Sequence, residues 1–307
     1  MSKPTDLLGA AAVVAGATLL LATATSAMPP FGDWRAPASL ETLPGSSSNL
    51  NTPAIDGCAS LSRDGLTIFF LSFRTGNADI FMARRSSKSD GFAEPIRVPA
   101  PVNTSGNEIC PTIAPGNRLY YTSFAGDPAG DLYMSRRGPK GWTAPTSLGP
   151  NINVPGMTEE APSFYEDDQG RRVMIFSRRP PGPPTGEGGK LYQSIDGAPA
   201  TLVQGGPNSS AGDNRASVTH DGLTIFWDST RFGTLGDSDL WYATRANTSE
   251  PWGSAIHLTA LSSPAHDSRP FISWDGTFLS FTSSRPGSES PAPDMWFTTR
   301  AKATGSR

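Results

Sequence analysis

The chain repeats one pattern five times, and this repeat restricts the possible folds more than any other feature of the sequence. The repeat cores span about 56–85, 107–137, 159–194, 213–245 and 267–300. Each core contains one turn glycine, and successive turn glycines are 51, 54, 52 and 54 residues apart. Units that recur at such a period cannot bury their apolar faces alone, so the sequence predicts that the copies stack into one structure.

Each copy contains the signals of three antiparallel strands. In the first copy, a run at 59–62 is followed by a turn at Asp64 and Gly65, a β-rich run at 66–71, a polar loop and a third run at 79–83. An Asp-Gly turn between two such runs is a strong hairpin signal. The same order of runs and turns recurs in the later copies, which predicts three strands in each.

A fourth strand is predicted between successive copies. Segments that contain Pro followed by Leu, Val or Ile, or a close variant of this pattern, begin at Gly91, Gly141, Gly197 and Pro251. No such segment follows the fifth copy, but one precedes the first copy, from Gly32. An N-terminal strand that completes the last unit closes a ring and removes open sheet edges. We therefore predict an all-β fold, a five-bladed β-propeller of four-stranded antiparallel blades closed by an N-terminal strand.

The repeated residues resemble those of a known family. An outer W-x-x-P-x-x-L segment is followed by an acidic residue, S-x-D-G, a β-rich strand ending in S-x-R, and D-[IL]-[YF]-x-[AST]-x-R. This pattern resembles the WD40-like β-propeller repeat of exported bacterial proteins of the TolB type. The resemblance covers roughly 32–300 and implies the fold, but one fold hosts many unrelated functions.

The first 27 residues differ from the rest of the chain. Lys3 precedes an apolar stretch at 7–21, and small residues at 25–27 precede Met28. This order is typical of a secretory signal peptide, which leaves 28–307 as a single domain exported to the periplasm or the exterior. An uncleaved membrane anchor is the alternative, since the apolar stretch is close to the minimum length that spans a bilayer. The net charge of −3 argues against a nucleic-acid or anionic-membrane partner, which would need a basic face. We expect a monomer with no membrane partner after cleavage.

Five carboxylates occupy the same place at the start of strand one, the innermost strand of each copy. They are Asp56, Glu108, Glu159, Asp213 and Asp267. Carboxylates crowded at the channel mouth could bind Ca²⁺ or a polyol, or act as a catalytic acid and base. The competing interpretation is a repeated ion pair with the arginines of the adjacent loops, Arg74, Arg179, Arg231 and Arg285.

The repeat is broken at positions that predict a polarised mouth. The second copy has Ala125 where an arginine is expected, so either Glu108 or Glu159 should lack an ion-pair partner. Arg215 and Arg269 lie two residues after the carboxylates of the fourth and fifth copies. The sequence therefore predicts a ligand pocket that is acidic over copies two and three and basic over copies four and five.

The two cysteines, Cys58 and Cys110, occupy the same strand position in neighbouring copies. In an exported protein this placement is compatible with one disulfide, provided that the two Cα atoms come within about 7 Å. Of the three histidines, only His266 is placed at the predicted mouth. No zinc-ligand spacing, phosphate-binding glycine loop or G-x-S-x-G motif is present, so no cofactor or metal is predicted, with Ca²⁺ as a weak alternative.

Three functions are compatible with this sequence. The first is an exported binding or scaffold protein that uses the mouth to bind a protein segment or an envelope carbohydrate. The second is a glycoside hydrolase or lyase with catalytic carboxylates at the propeller centre, which rests on the fold alone. The third is an accessory of an envelope transport system, as the TolB resemblance implies. The residues do not identify a substrate.

Overall fold

A computed structural model describes residues 31–182 and 188–302. The predicted signal segment at 1–27 lies outside these residues. Within them no helix is both long and apolar enough to cross a membrane. The described chain forms five antiparallel sheets, each with at least four strands.

Each sheet is one blade, and its first three strands come from one copy of the repeat. These strands are Asp56–Leu61, Thr67–Ser72 and Asp79–Arg84 in blade 1; Glu108–Ala114, Arg118–Ser123 and Asp131–Gly138 in blade 2; Thr158–Glu166, Arg172–Arg179 and Lys190–Ile195 in blade 3; Asp213–Val218, Thr224–Ser229 and Asp239–Thr244 in blade 4; and Asp267–Ile272, Phe278–Ser283 and Asp294–Thr299 in blade 5.

The fourth strand of each blade is short. These strands are Ile96–Arg97, Thr146–Ser147, Thr201–Leu202 and Ile256–His257 in blades 1 to 4, and Ala38–Ser39 in blade 5. Blade 2 has an additional strand, Gly141–Trp142, and a 3-10 helix at Leu40–Thr42 follows the strand of blade 5. The predicted five-bladed propeller is confirmed.

The N-terminal segment closes the ring at blade 5. Ala38 pairs with Phe297, and the backbone N–H of Arg35 donates to the carbonyl of Thr299 at 2.9 Å. The ring of Trp34 lies edge-on to that of Phe226 in blade 4, with centroids 6.3 Å apart. The segment is therefore paired to one blade and packed against another, as the count of fourth strands predicts.

An asparagine in the linker after the fourth strand fixes the start of strand three in most blades. In blade 1 the Asn103 amide accepts from the N–H of Ile80 at 2.7 Å and donates to its carbonyl at 2.8 Å. Asn153, Asn208 and Asn51 make the same pair of bonds to Leu132, Leu191 and Met295 in blades 2, 3 and 5. The side chain thus satisfies a buried backbone N–H, and in blades 1 to 3 it shares the carbonyl with a linker N–H.

Aromatic side chains fill the spaces between blades. The central residue of strand two is Phe70, Tyr121, Phe176, Trp227 or Phe281, and each is at most 1% exposed. These positions recur because every blade packs its flat face against the next, and an aromatic ring buries the most apolar area there. They form part of the core, and none lines the channel mouth.

Strand one of every blade contains a β-bulge, which determines what lines the central channel. The register shifts at this place in all five sheets. The bulged residue has left-handed backbone dihedrals, with φ between 45° and 54°, and is Cys58, Cys110, Ala161, Arg215 or Arg269. A bulge redirects a side chain from the usual strand alternation. All five residues line the narrow part of the channel.

Candidate functional site

The five predicted mouth carboxylates are completely buried, and four are paired with an arginine of their own blade. Arg74 donates to Asp56 at 2.8 Å, Arg178 to Glu159 at 2.7 Å and Arg285 to Asp267 at 2.7 Å, and Arg231 donates to Asp213. Each of these arginines also donates to a backbone carbonyl of the preceding linker: Leu50, Ile152, Leu261 and Pro207. The pairs tie the strands to the linkers.

Glu108 is the ring carboxylate without an arginine. Its carboxylate accepts from the hydroxyl of Thr104 at 2.7 Å, from the N–H of Thr104 at 2.9 Å and from the hydroxyl of Ser123 at 2.9 Å. Ala125 is exposed and offers no donor from its side chain. Glu108 therefore keeps the hydroxyl and linker N–H donors that Asp213 also has, but it lacks the guanidinium.

One predicted pairing is wrong, because blade 3 has a different register. Glu159 lies opposite Arg178, whereas the ring carboxylates of the other blades lie opposite a serine. Arg178 therefore reaches Glu159, and Arg179 donates to the next residue, Glu160, at 3.1 Å. Arg179 corresponds in register to Phe73 of blade 1 and points to the channel side.

The expected acidic half of the mouth is also wrong. The five ring carboxylates are fully buried and line neither the mouth cavity nor the narrow part of the channel: Asp56, Glu108, Glu159, Asp213 and Asp267. Burial raises the pKa of Glu159 to about 7, although the bond from Arg178 opposes this shift. Its Oε2 atom is buried without a partner among the described residues. The ring carboxylates lie within the blades because hydroxyls, guanidiniums and linker N–H groups surround them there.

Cys58 and Cys110 form a disulfide between the bulges of blades 1 and 2. The S–S distance is 2.05 Å and the Cα atoms are 4.9 Å apart. Adjacent innermost strands reach this separation because both residues take the same left-handed conformation toward the channel. The disulfide forms one wall of the narrow part of the channel.

Blades 3, 4 and 5 contribute a buried cluster of charged side chains at the inner end of the mouth. Asp228 accepts from Nε of Arg215 at 2.9 Å and from its Nη2 at 2.5 Å, and it also accepts from the backbone N–H of Arg269 at 2.9 Å. Arg179 and Glu160 form the second pair. Among the described residues, this cluster contains three guanidiniums and two carboxylates.

Arg269 is the guanidinium in this cluster that pairs with no carboxylate of the described chain. Its Nη1 donates to the hydroxyl of Ser268 at 3.3 Å, and its Nε is buried without a partner. Burial and the repulsion from Arg215 lower its pKa to about 10, so it stays charged at neutral pH. A buried cation without an ion-pair partner is energetically costly, so an anion that binds to it is stabilised.

A cavity of about 390 Å³ opens at the mouth above this cluster. Arg179, Arg269 and His266 line one side. Apolar residues of blades 1 and 2 and of the linker before blade 1, together with one residue of the blade 5 loop, line the other: Ile55, Leu71, Phe73, Ile109, Phe124 and Pro293. The structure thus retains a polarised mouth, but the two sides are cationic and apolar.

The electrostatics of the mouth set the protonation of its ionisable groups. Burial and the positive charges of Arg215 and Arg269 together lower the pKa of His266 to about 4. Asp228 and Asp267 act in the opposite direction. Burial alone would raise the pKa of Glu160, but Arg215, Arg179 and Arg269 outweigh this effect and hold it below its usual value. At neutral pH the imidazole is therefore neutral and Glu160 is ionised.

Sequence reasoning missed Glu160, Asp228, Phe73 and Phe124. A comparison of the copies one position at a time would have found them. Asp228 takes the register position of Thr282, whose hydroxyl accepts from the N–H of Cys58 at 3.0 Å, as Asp228 does for Arg269. Asp228 is a carboxylate at a repeat position that is neutral in the other copies, and this difference indicates a special role.

The other two histidines lie away from the mouth. His220 is exposed at the opposite end of the channel, where its ring lies 4.8 Å from that of Trp274 and Arg63 lies over the same indole. His257 bonds to Asp239 at 2.8 Å in the outer part of blade 4. No group of three or more potential His, Cys, Asp or Glu metal ligands occurs in the described ranges.

Comparisons with known proteins support the fold. A scan against protein-family models gave no match, and a search of curated proteins gave none. The α-L-arabinofuranosidase PaAbf62A from Podospora anserina, solved with cellotriose, is 13% identical over 89% of this chain and 98% of its own, with a TM-score of 0.54. A family-62 glycoside hydrolase solved with xylotriose is 11% identical over 87% and 96%, also with a TM-score of 0.54.

A structure described as a putative TolB from Agrobacterium tumefaciens is 18% identical over 76% of this chain and 71% of its own. Its TM-score of 0.45 is too low to support an argument, so the propeller is shown but the specific repeat family is not.

The comparisons correct our expectation of a binding or scaffold protein. Several similar structures are glycoside hydrolases of the arabinofuranosidase, arabinanase and family-43 types. At such low identity the likeness establishes the fold, and an activity for this chain is a proposal.

Proposed function

We propose that the protein is an exported enzyme that cleaves glycosidic bonds in a carbohydrate bound at the channel mouth. The observation that supports this most directly is the cavity of about 390 Å³ with cationic and apolar sides. Its volume falls in the range of small-molecule sites, which combine an apolar lining with a few convergent polar groups. Phe73 and Phe124 occupy equivalent positions and offer aromatic surface to the apolar face of a sugar ring.

Carbohydrate chemistry is also what the similar structures suggest. The Podospora anserina enzyme was solved with cellotriose and the family-62 hydrolase with xylotriose. Transfer of this chemistry to the present chain is part of the proposal.

The mouth does not favour the two-carboxylate route of most glycoside hydrolases. That route requires a protonated acid and a second carboxylate on opposite sides of the bond. Glu160 and Asp228, the two carboxylates of the cluster, are each bonded to an arginine, and the pKa of Glu160 is held low. Proton transfer therefore falls to the neutral imidazole of His266, which lines the cavity.

The test is an assay of glycosidic-bond cleavage with residues 28–307. The protein is incubated with neutral and acidic polysaccharides, and released reducing ends are measured. We expect cleavage of at least one polysaccharide, and loss of cleavage in His266→Gln. The matched control is His220→Gln at the opposite end of the channel, which should retain activity. Absence of cleavage across the panel would refute the proposal.

Export is tested separately. Expression of the full chain in a bacterium, followed by fractionation and determination of the N-terminal residue, should place the mature protein outside the cytoplasm with a start near Met28. A protein that keeps Met1 in the cytoplasm would contradict this part of the proposal.

A further inference from the structure

We propose that the substrate of the mouth cavity is a uronate-containing polysaccharide, whose carboxylate binds to Arg269 and Arg179, and that His266 initiates its cleavage by β-elimination. This inference rests on the proposed glycosidic-bond cleavage and specifies its substrate class and reaction type.

The cationic side of the cavity favours an anionic substrate. Arg179 and Arg269 line this side, and Arg269 pairs with no carboxylate of the described chain. Guanidinium groups bind carboxylates with charge-assisted hydrogen bonds, which gain strength where water is displaced. A uronate carboxylate would give Arg269 the ion-pair partner that a neutral sugar does not provide.

The second argument is the placement of the two arginines. Arg179 is 5% exposed, and its Nη1 donates to the carbonyl of Gly182 at 3.2 Å, which fixes the guanidinium at the rim. Arg269 comes from the bulge of blade 5, where its backbone N–H is fixed by Asp228. Both side chains line one side of the same cavity, so a carboxylate between them would be bound by two preorganised cations.

The third argument is the state of His266. Its ring has no hydrogen-bond partner among the described residues, and it lines the cavity beside Arg269. Because the imidazole is neutral at neutral pH, it can accept a proton. A bound carboxylate offsets the repulsion from Arg215 and Arg269, which raises the basicity of His266 when substrate is present.

These groups support an elimination whose atoms and electrons balance. The imidazole of His266 removes the proton on the carbon next to the carboxylate, while Arg179 and Arg269 stabilise the negative charge that develops on the carboxylate oxygens. The electron pair forms a C=C bond with the neighbouring carbon as the bond from that carbon to the glycosidic oxygen breaks. The leaving oxygen takes the proton from the imidazolium. No water, oxidant or metal is consumed.

The experiment measures binding and cleavage with defined probes. Binding of D-galacturonate and D-glucuronate is compared with that of D-galactose and D-glucose by calorimetry. Cleavage is assayed on polygalacturonate, alginate and hyaluronan, and on fully methyl-esterified polygalacturonate, which lacks the charge. We expect at least one uronate to bind and its polymer to give an ultraviolet-absorbing unsaturated product, while the ester is not cleaved.

Three variants assign the roles. Arg269→Met should weaken uronate binding by about tenfold or more, the effect of a lost charge-assisted bond. It should not lower the unfolding temperature, because it removes an uncompensated buried cation. His266→Gln should retain binding within about twofold and lose the unsaturated product, since hydrogen bonding survives but proton transfer does not. Arg63→Met, at the far end of the channel, is the matched control.

The outcomes separate this inference from the proposed function. Reducing ends without the unsaturated product would show hydrolysis, which overturns elimination and leaves glycosidic-bond cleavage standing. Equal binding of neutral sugars and uronates would overturn the substrate class. Absence of both uronate binding and cleavage of the uronate polymers would overturn the inference alone, since the proposed function is also tested on neutral polysaccharides.

Discussion

The side-chain amide of Asn51 brackets the backbone of Met295, accepting from its N–H at 2.9 Å and donating to its carbonyl at 3.3 Å. Its amide nitrogen also lies 3.2 Å from the hydroxyl of Ser39, on the strand that closes the ring. The seam between the start and the end of the propeller thus depends on a buried polar contact as well as on strand pairing.

Asn51→Ala should therefore destabilise the protein. It leaves the N–H and carbonyl of Met295 buried without partners, which costs about 2–3 kcal/mol of unfolding free energy. Urea unfolding followed by tryptophan fluorescence measures the change. Asn103→Ala removes the equivalent contact within blade 1 and is the matched control. A loss below about 0.5 kcal/mol for Asn51→Ala would mean that this contact does not stabilise the closure.

The ring ion pairs should be structural. Arg285→Met leaves Asp267 ionised and fully buried beside its remaining donors, so we expect a loss of about 3 kcal/mol or more. Lys88→Met removes a surface pair with Asp275 and should change the free energy of unfolding by less than about 1 kcal/mol. Chemical denaturation compares the two variants. Equal effects would show that burial does not strengthen the ring pair.

Asp294 predicts a pH dependence of stability. Burial raises its pKa to about 6; the bond from the N–H of Glu289 opposes this shift, and repulsion from Asp56, Glu289 and Glu41 adds to it. The folded protein then holds a proton that the unfolded chain releases above about pH 4, so this group's stabilising contribution falls as pH rises toward 6. Asp294→Asn should show no such fall.

The measurement is thermal unfolding of both proteins between pH 4 and pH 7. The advantage of Asp294→Asn over the wild type should grow as pH rises toward 6. A constant difference between the two proteins would contradict the raised pKa. Asp79→Asn provides the contrast, because Asp79 is paired with Arg97 and its loss should destabilise at neutral pH.

The disulfide between Cys58 and Cys110 should contribute strongly to stability. It closes a loop with a sequence separation of 52 residues, which corresponds to about 4 kcal/mol in the chain-entropy description. The double substitution Cys58→Ala with Cys110→Ala should lose most of this in urea unfolding. Reduction of the wild type with dithiothreitol should produce the same loss, and a smaller effect of reduction would show that the substitutions disturb packing.

Uronate binding should strengthen as pH falls from 7 to 5. The free His266 is neutral in this range, and a bound carboxylate next to it favours protonation against the repulsion of Arg215 and Arg269, so proton uptake accompanies binding. Calorimetry in two buffers of different ionisation enthalpy measures this uptake. His266→Gln should remove it, and pH-independent binding to the wild type would place the carboxylate away from His266.

The architecture could be predicted from the sequence because the repeat determines it. Four linkers lie between the five copies, and one precedes the first copy. No linker follows blade 5 to supply its fourth strand, and Ala38–Ser39 provides that strand.

The site could be predicted only in part. Arg215, Arg269 and His266 lie in the predicted region, but the side-chain directions depend on bulges that spacing does not show. A one-residue difference in the alignment of blade 3 assigned Arg179 to the wrong carboxylate. The ring carboxylates were expected at the mouth because the sequence indicates that they lie at the start of strand one. It does not indicate the hydrogen-bond donors that hold them within the blades.

The disulfide and the noncovalent closure of the ring lie at different interfaces between strands or blades, and this determines how the ring can open. The disulfide joins blades 1 and 2, whereas the N-terminal strand is held only by hydrogen bonds and packing on blade 5. If the seam separates, blades 1 and 2 remain tethered at the channel while blade 5 loses its outer edge. A protease acting on such an opened molecule would trim the carboxyl-terminal blade first, while the disulfide still holds blades 1 and 2 together.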